Sequence, residues 1–133
     1  MKTWTTFGVF LAAALFWISP AAARTFQIPI EISTPVGATS GTDTPKAYNR
    51  LVLGVHPDAT DGYDLQWETP AFFNTPDPEA SLPLKAYMEH LEYGPAERQL
   101  WRDIRAGNGE KKWDVTITLA PSQMGKTVTI AWD

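Results

Sequence analysis

Apolar and polar residues alternate one for one in several stretches of this chain, and a period of two puts the apolar set on one side of an extended strand. Phe26, Ile28, Ile30 and Ile32 form the first stretch. Pro29 lies among its polar positions and has no N–H to give a ladder, so the segment is expected at a sheet edge. Leu51, Leu53 and Val55 follow, then Tyr63, Leu65 and Trp67. Trp113, Val115, Ile117 and Leu119 make the fourth stretch, and Val128, Ile130 and Trp132 the last. Trp113 and Trp132 each continue an apolar face and read as core residues. Pro121 to Gly125 supply turn chemistry between the last two stretches, which predicts a hairpin with a loop of about five or six residues. Strands separated by turn signals imply an all-β domain.

The middle of the chain fits two periods. Leu84, Tyr87, Met88 and Leu91 have helical spacing, whereas Tyr87, Glu89, Leu91 and Tyr93 suit a strand with one apolar-weighted face. Leu100, Trp101 and Ile104 pose the same choice, with Pro95, Glu97 and Gly107 placed as helix start and stop signals. Residues 34–47 read as long coil. Residues 69–83 carry Pro70, Pro76, Pro78 and Pro83, which exclude a central strand or helix and predict extended chain crossing the outside of the fold.

The first 23 residues have the pattern of a secretory leader. Lys2 is the basic start, residues 7–18 are apolar, and Ser19, Pro20, Ala21, Ala22 and Ala23 put small residues before Arg24. The apolar run falls short of the ~20 residues that span a bilayer, so cleavage is expected, with no membrane insertion afterwards. No cysteine follows it to carry a lipid. The mature domain, residues 24–133, is then secreted, extracellular or periplasmic. It is long enough for one domain with one core. The absence of cysteine means that packing and hydrogen bonds alone hold it, and excludes thiol chemistry and cysteine-based metal sites. Loss of Lys2 moves the formal charge from −4 to −5, with both signs scattered, which excludes a nucleic-acid footprint.

Several motifs occur in a fixed order. They are Leu53, Gly54 and Val55; Ala59, Thr60, Asp61, Gly62, Tyr63 and Asp64; a proline-rich segment with Asp77, Pro78, Glu79, Leu82 and Pro83; an aromatic strand near Tyr87; Asp103, Ile104 and Arg105; Trp113, Asp114 and Val115; and a final Val128 to Asp133. This series resembles a module of secreted bacterial proteins, often placed near C-terminal secretion or anchoring signals. The resemblance covers residues 50–133 and implies a single immunoglobulin-like antiparallel β-sandwich of about seven strands. It turns both ambiguous middle segments into strands and brings no activity or ligand with it. The sequence differs from that pattern in carrying no further domain.

Residues 58–64 hold the densest set of carboxylates, Asp58, Asp61 and Asp64, around Gly62, which makes them the candidates for a Ca²⁺ ion. With Gly62 as the sixth residue of an EF-hand loop, Asp61 and Glu68 fall on positions five and twelve, but Pro57 and Ala59 occupy positions one and three. The segment therefore reads as a turn. Its carboxylates are expected to accept backbone N–H bonds, Gly62 to adopt positive φ, and Tyr63 to pack on the sandwich. On that reading Gly62→Ala costs more than ~1 kcal/mol, and Ca²⁺ leaves the melting temperature unchanged. No cofactor is expected.

His56 beside Asp58 reads as a polar loop residue. The two histidines come with no cysteine, nucleophile elbow or phosphate-cradling glycine pattern, so a non-enzyme is expected. Asp103 and Arg105 share a strand face and read as a structural pair worth under about 1 kcal/mol if exposed. Trp67 and Trp101 are the aromatic residues least constrained by pattern and the candidates for stacking on sugars. The function expected is a structural or adhesive module at the cell envelope or outside it. Its partner would be a cell-surface protein or a polysaccharide, and the alternative is a carbohydrate-binding module built on those two tryptophans.

Overall fold

The computed structural model describes residues 2–7, 12–14, 25–36, 45–73 and 82–133. They form an all-β fold. Beyond residue 23, seven strands make one curled mixed sheet: β3 (Phe26–Pro35), β4 (Lys46–His56), β5 (Thr69–Pro70), β6 (Leu84–Glu89), β7 (Gln99–Ala106), β8 (Trp113–Leu119) and β9 (Thr127–Trp132). Two strands lie within residues 1–23, β1 (Lys2–Phe7) along β9 and β2 (Ala12–Ala14) along β8. The order across the sheet is β1-β9-β3-β4-β7-β6-β8-β2, with β5 added on β7. The cleavage motif expected at Ser19 to Ala23 and the prolines Pro76 and Pro78 lie outside the described residues.

Alternation builds both layers. On one side Ile30 faces Leu51 and Trp132, while Ile32 faces Asn49 and Ile130. On the other, Leu84, Ala86 and Met88 face Leu119, Ile117 and Val115. The two apolar faces meet in one core containing Ile30, Ile32, Leu51, Leu53, Met88, Leu100 and Trp113. Asn49 ties the layers together by accepting the Ala86 N–H through Oδ1 at 2.9 Å.

Strand β7 joins them. Gln99 and Leu100 pair with β6, and from Arg102 onward the strand runs parallel to β4, so it passes from one layer to the other between Leu100 and Arg102. This parallel pair makes the sheet mixed where a wholly antiparallel one was expected. The chain between the two strands, residues 57–98, is long enough to return in the same direction.

The middle segments are strands, as the resemblance implied; Leu100 and Ile104 of the second are buried, but the first turns the opposite face inward. Leu84, Ala86 and Met88 are buried while Leu91 lies beyond the strand and is exposed, because alternation read from Tyr87 picks the aromatic side over the packed one.

The last two strands do not form the expected hairpin. β8 pairs with β6 and β9 with β3, and a short 3₁₀ turn at Pro121–Gln123 carries the chain across the edge between layers. Gly125 completes that crossing at φ 79°. Residues 63–67 are a turn, not a strand. The N–H groups of Trp67 and Glu68 both return to the Asp64 carbonyl, at 2.8 and 2.9 Å, and Leu65 is 87% exposed.

Strands β3 and β4 pair as far as Pro35 and Lys46, two residues into each end of the segment read as coil, of which residues 37–44 lie outside the described residues. Pro29 sits just past the last β9 partner of β3, so its missing N–H costs nothing although β3 is an interior strand from Ile30 to Ser33.

Candidate functional site

The crossing of β7 between layers leaves a charged residue at a core position. Asp103 aligns with Leu53 of β4 and is 1% exposed. A bare carboxylate there would be prohibitively costly, and two side chains satisfy it. His90 Nε2 lies 2.9 Å from its Oδ2, while Arg105 reaches the same oxygen with Nη2 at 2.8 Å and Nε at 3.0 Å. Arg105 Nε also lies 3.2 Å from Oδ1.

Arg105 comes from the same strand, two residues on, and it is fixed in turn. Its Nη1 donates to the Lys112 carbonyl at 2.8 Å, and its guanidinium lies over the Trp113 ring. His90 directly follows β6, where its N–H bonds the Arg98 carbonyl at 2.8 Å and continues the β6–β7 hairpin. Its second ring nitrogen, Nδ1, meets Glu92 Oε1 at 2.8 Å, and the ring stacks flat on Tyr93 with centroids 4.4 Å apart.

Electrostatics follow from this geometry. Burial raises the Asp103 pKa, but the hydrogen bonds from His90 and Arg105 outweigh it and hold the carboxyl below its ordinary range. Burial likewise lowers that of His90, and the bonds to Asp103 and Glu92 reverse the sign, so the imidazole titrates above its usual value. A carboxylate at each nitrogen favours the cation, which can donate to both, while Arg105 Nη2, 3.1 Å from Nε2, opposes that charge. Its bond draws the Glu92 carboxyl down. Burial and the Asp103 charge push Tyr93 up to about 12, and burial with the Glu97 charge raises Tyr63.

The loop at residues 58–68 packs beside this cluster. Asp64, rather than Asp61, is its acceptor: Oδ2 takes the Thr60 N–H at 2.7 Å and the Thr60 hydroxyl at 2.8 Å. Asp61 instead receives Lys111 Nζ at 2.7 Å. The Thr60 carbonyl accepts the Ala106 N–H of β7 at 3.1 Å. Tyr63 packs on the core and sets its edge against Tyr93, as the turn reading expects. Gly62 differs from expectation, since it does not adopt the positive φ found at Gly109 and Gly125. The Asp64 and Thr60 bonds close the turn without a left-handed residue.

The three Ca²⁺ candidates are not drawn together. Asp58 is exposed, Asp61 is paired with Lys111, and Asp64 is spent on Thr60. Among the described residues, no group of three or more His, Cys, Asp or Glu side chains is placed to hold a metal ion.

Trp67 and Trp101 are both half-buried. His56 stacks on Trp67 with centroids 4.1 Å apart, and Arg102 lies 6.0 Å from its ring. Trp101 packs against the core, with Phe73 edge-on at 5.6 Å.

Sequence reasoning passed over His90 and judged Asp103 an exposed pair. The signal for His90 was its parity: it continues the Leu84, Ala86, Met88 series, where a polar residue must be satisfied internally. Asp103 carried no such signal, because the change of layer in β7 shifts the alternation. Comparison with protein families, curated proteins and solved structures gives no match.

Proposed function

We propose that this chain is a secreted, non-catalytic β-sandwich serving as a structural or adhesive module at the bacterial cell envelope or outside it, as the leader and the resemblance to secreted modules imply. The observation that supports it most is how the His90, Asp103 and Arg105 cluster is used. Both imidazole nitrogens face carboxylates, and Asp103 is buried beneath its two partners. A general base needs a free nitrogen or oxygen within reach of a substrate proton. This cluster instead spends its groups on joining β7 to the end of β6, which is the work of a rigid scaffold.

Sugar stacking on Trp67 and Trp101 has weaker support, since His56 already occupies one face of Trp67. Expression of the full chain in an export-competent bacterium, followed by fractionation and N-terminal sequencing, tests the location. A protein outside the cytoplasm that begins at Arg24 is expected. Full-length protein retained inside overturns the proposal.

A further inference from the structure

Glu68 closes a ring of hydrogen bonds that clips residues 58–68 to β7. Its Oε2 accepts the Asp64 N–H at 2.5 Å, and the backbone N–H of Ile104 on β7 also favours its charged form. Asp64 holds Thr60, and Thr60 returns to β7 through Ala106. The ring has one flaw. Glu68 is 4% exposed, and its Oε1 is buried without a hydrogen-bond partner.

An ionised carboxylate in that position keeps a desolvated, unpaired oxygen. It also faces like charges. The Asp64 carboxylate of its own loop and the Asp103 carboxylate of β7 both repel it, and the neutral phenols of Tyr63 and Tyr93 sense its charge. The cations nearest in the cluster, Arg105 and His90, are already bound to Asp103. Neutralising Glu68 therefore relieves burial and repulsion together, while Oε2 still accepts the Asp64 N–H.

We propose that Glu68 makes residues 58–68 a proton-operated clasp on β7, seated while the carboxyl is neutral and released when it ionises. Burial, reinforced by the Asp103 charge against the two backbone N–H groups, raises the Glu68 pKa to about 7. The clasp therefore works near neutrality rather than in strong acid. An opened loop returns the side chain to its ordinary value of 4.5, so the opening equilibrium grows about thirtyfold between pH 5.5 and 8.5.

The test is amide hydrogen exchange at Asp64 and Ala106 in the full chain, corrected for intrinsic exchange rates, together with a carbon-13 titration of the Glu68 carboxyl. Expected are a Glu68 midpoint near neutrality and a corrected exchange rate that rises about thirtyfold over that range. In Glu68→Gln the rise disappears. A Glu68 midpoint near 4.5, or corrected exchange that stays flat with pH in the unmodified chain, overturns the proposal. Both of those measurements use the unmodified protein and decide the matter even if Glu68→Gln does not fold.

Discussion

Gly54 shows how little a residue's local chemistry reveals about its burden. A Cβ built there meets the Phe26 carbonyl oxygen, lies 3.0 Å from Gln27 Cα and 3.1 Å from Ile104 Cδ1, so two backbone neighbours and a core side chain would have to move. Gly54→Ala is expected to cost about 3 kcal/mol, as over-packing in a filled core does. Gly62→Ala gives the contrast: its Cβ meets only the Thr60 hydroxyl at 3.5 Å, and a surface change of this kind stays within about 0.5 kcal/mol. Urea denaturation of both variants checks the pair, and equal losses would refute the assignment. The sequence singles out Gly62, which sits in a recognisable turn dipeptide. Gly54 looks like an ordinary strand residue, because the requirement comes from β3, with Gln27 opposite it, and from Ile104 on the other side.

At the scale of elements, alternation located β3, β4, β8 and β9 correctly, since each has one face on the core and one outside. It failed where pairing depends on distant chain. The Pro121 to Gly125 segment has every property of a hairpin loop, yet the strands on either side belong to opposite layers, and local turn chemistry is the same for both connections. Replacing residues 120–126 by a two-residue Asn-Gly turn would force β8 against β9. The expected result is loss of cooperative thermal unfolding, measured by near-ultraviolet circular dichroism. A variant that keeps the native spectrum would show that these strands can pair. Leu65 and Trp67 failed differently: with only three apolar positions, the same spacing also suits a turn closed by Asp64.

For the whole molecule, the titrating groups of the candidate site set one direction. His90 has a folded pKa above its ordinary 6.5, so its contribution is complete below that value and is lost as pH rises through the folded one. Glu68 acts in the same sense, losing up to about 3 kcal/mol as pH rises from 4.5 to about 7. Asp103 opposes them: held below its ordinary 3.8, it contributes above that pH and is lost as pH falls through its folded value. Calorimetry across pH is expected to place the highest melting temperature between about pH 4 and 5, with a decline toward pH 8. His90→Gln should flatten the part of that decline above pH 6.5, and a melting temperature that climbs toward pH 8 would contradict the assignment. None of this was legible beforehand, because it depends on a buried carboxylate that only the change of layer in β7 creates. The same strand also governs how the chain reaches its fold. Val52 must find Arg102 and His56 must find Ala106, each 50 residues along the chain, before β4 and β7 can pair in parallel. Entropy is spent on closing that loop before any contact rewards it, so such topologies fold in milliseconds to seconds rather than microseconds. Were the chain exported as proposed, structure acquired this slowly would leave the polypeptide threadable after synthesis, the kinetic condition for passing through a narrow channel.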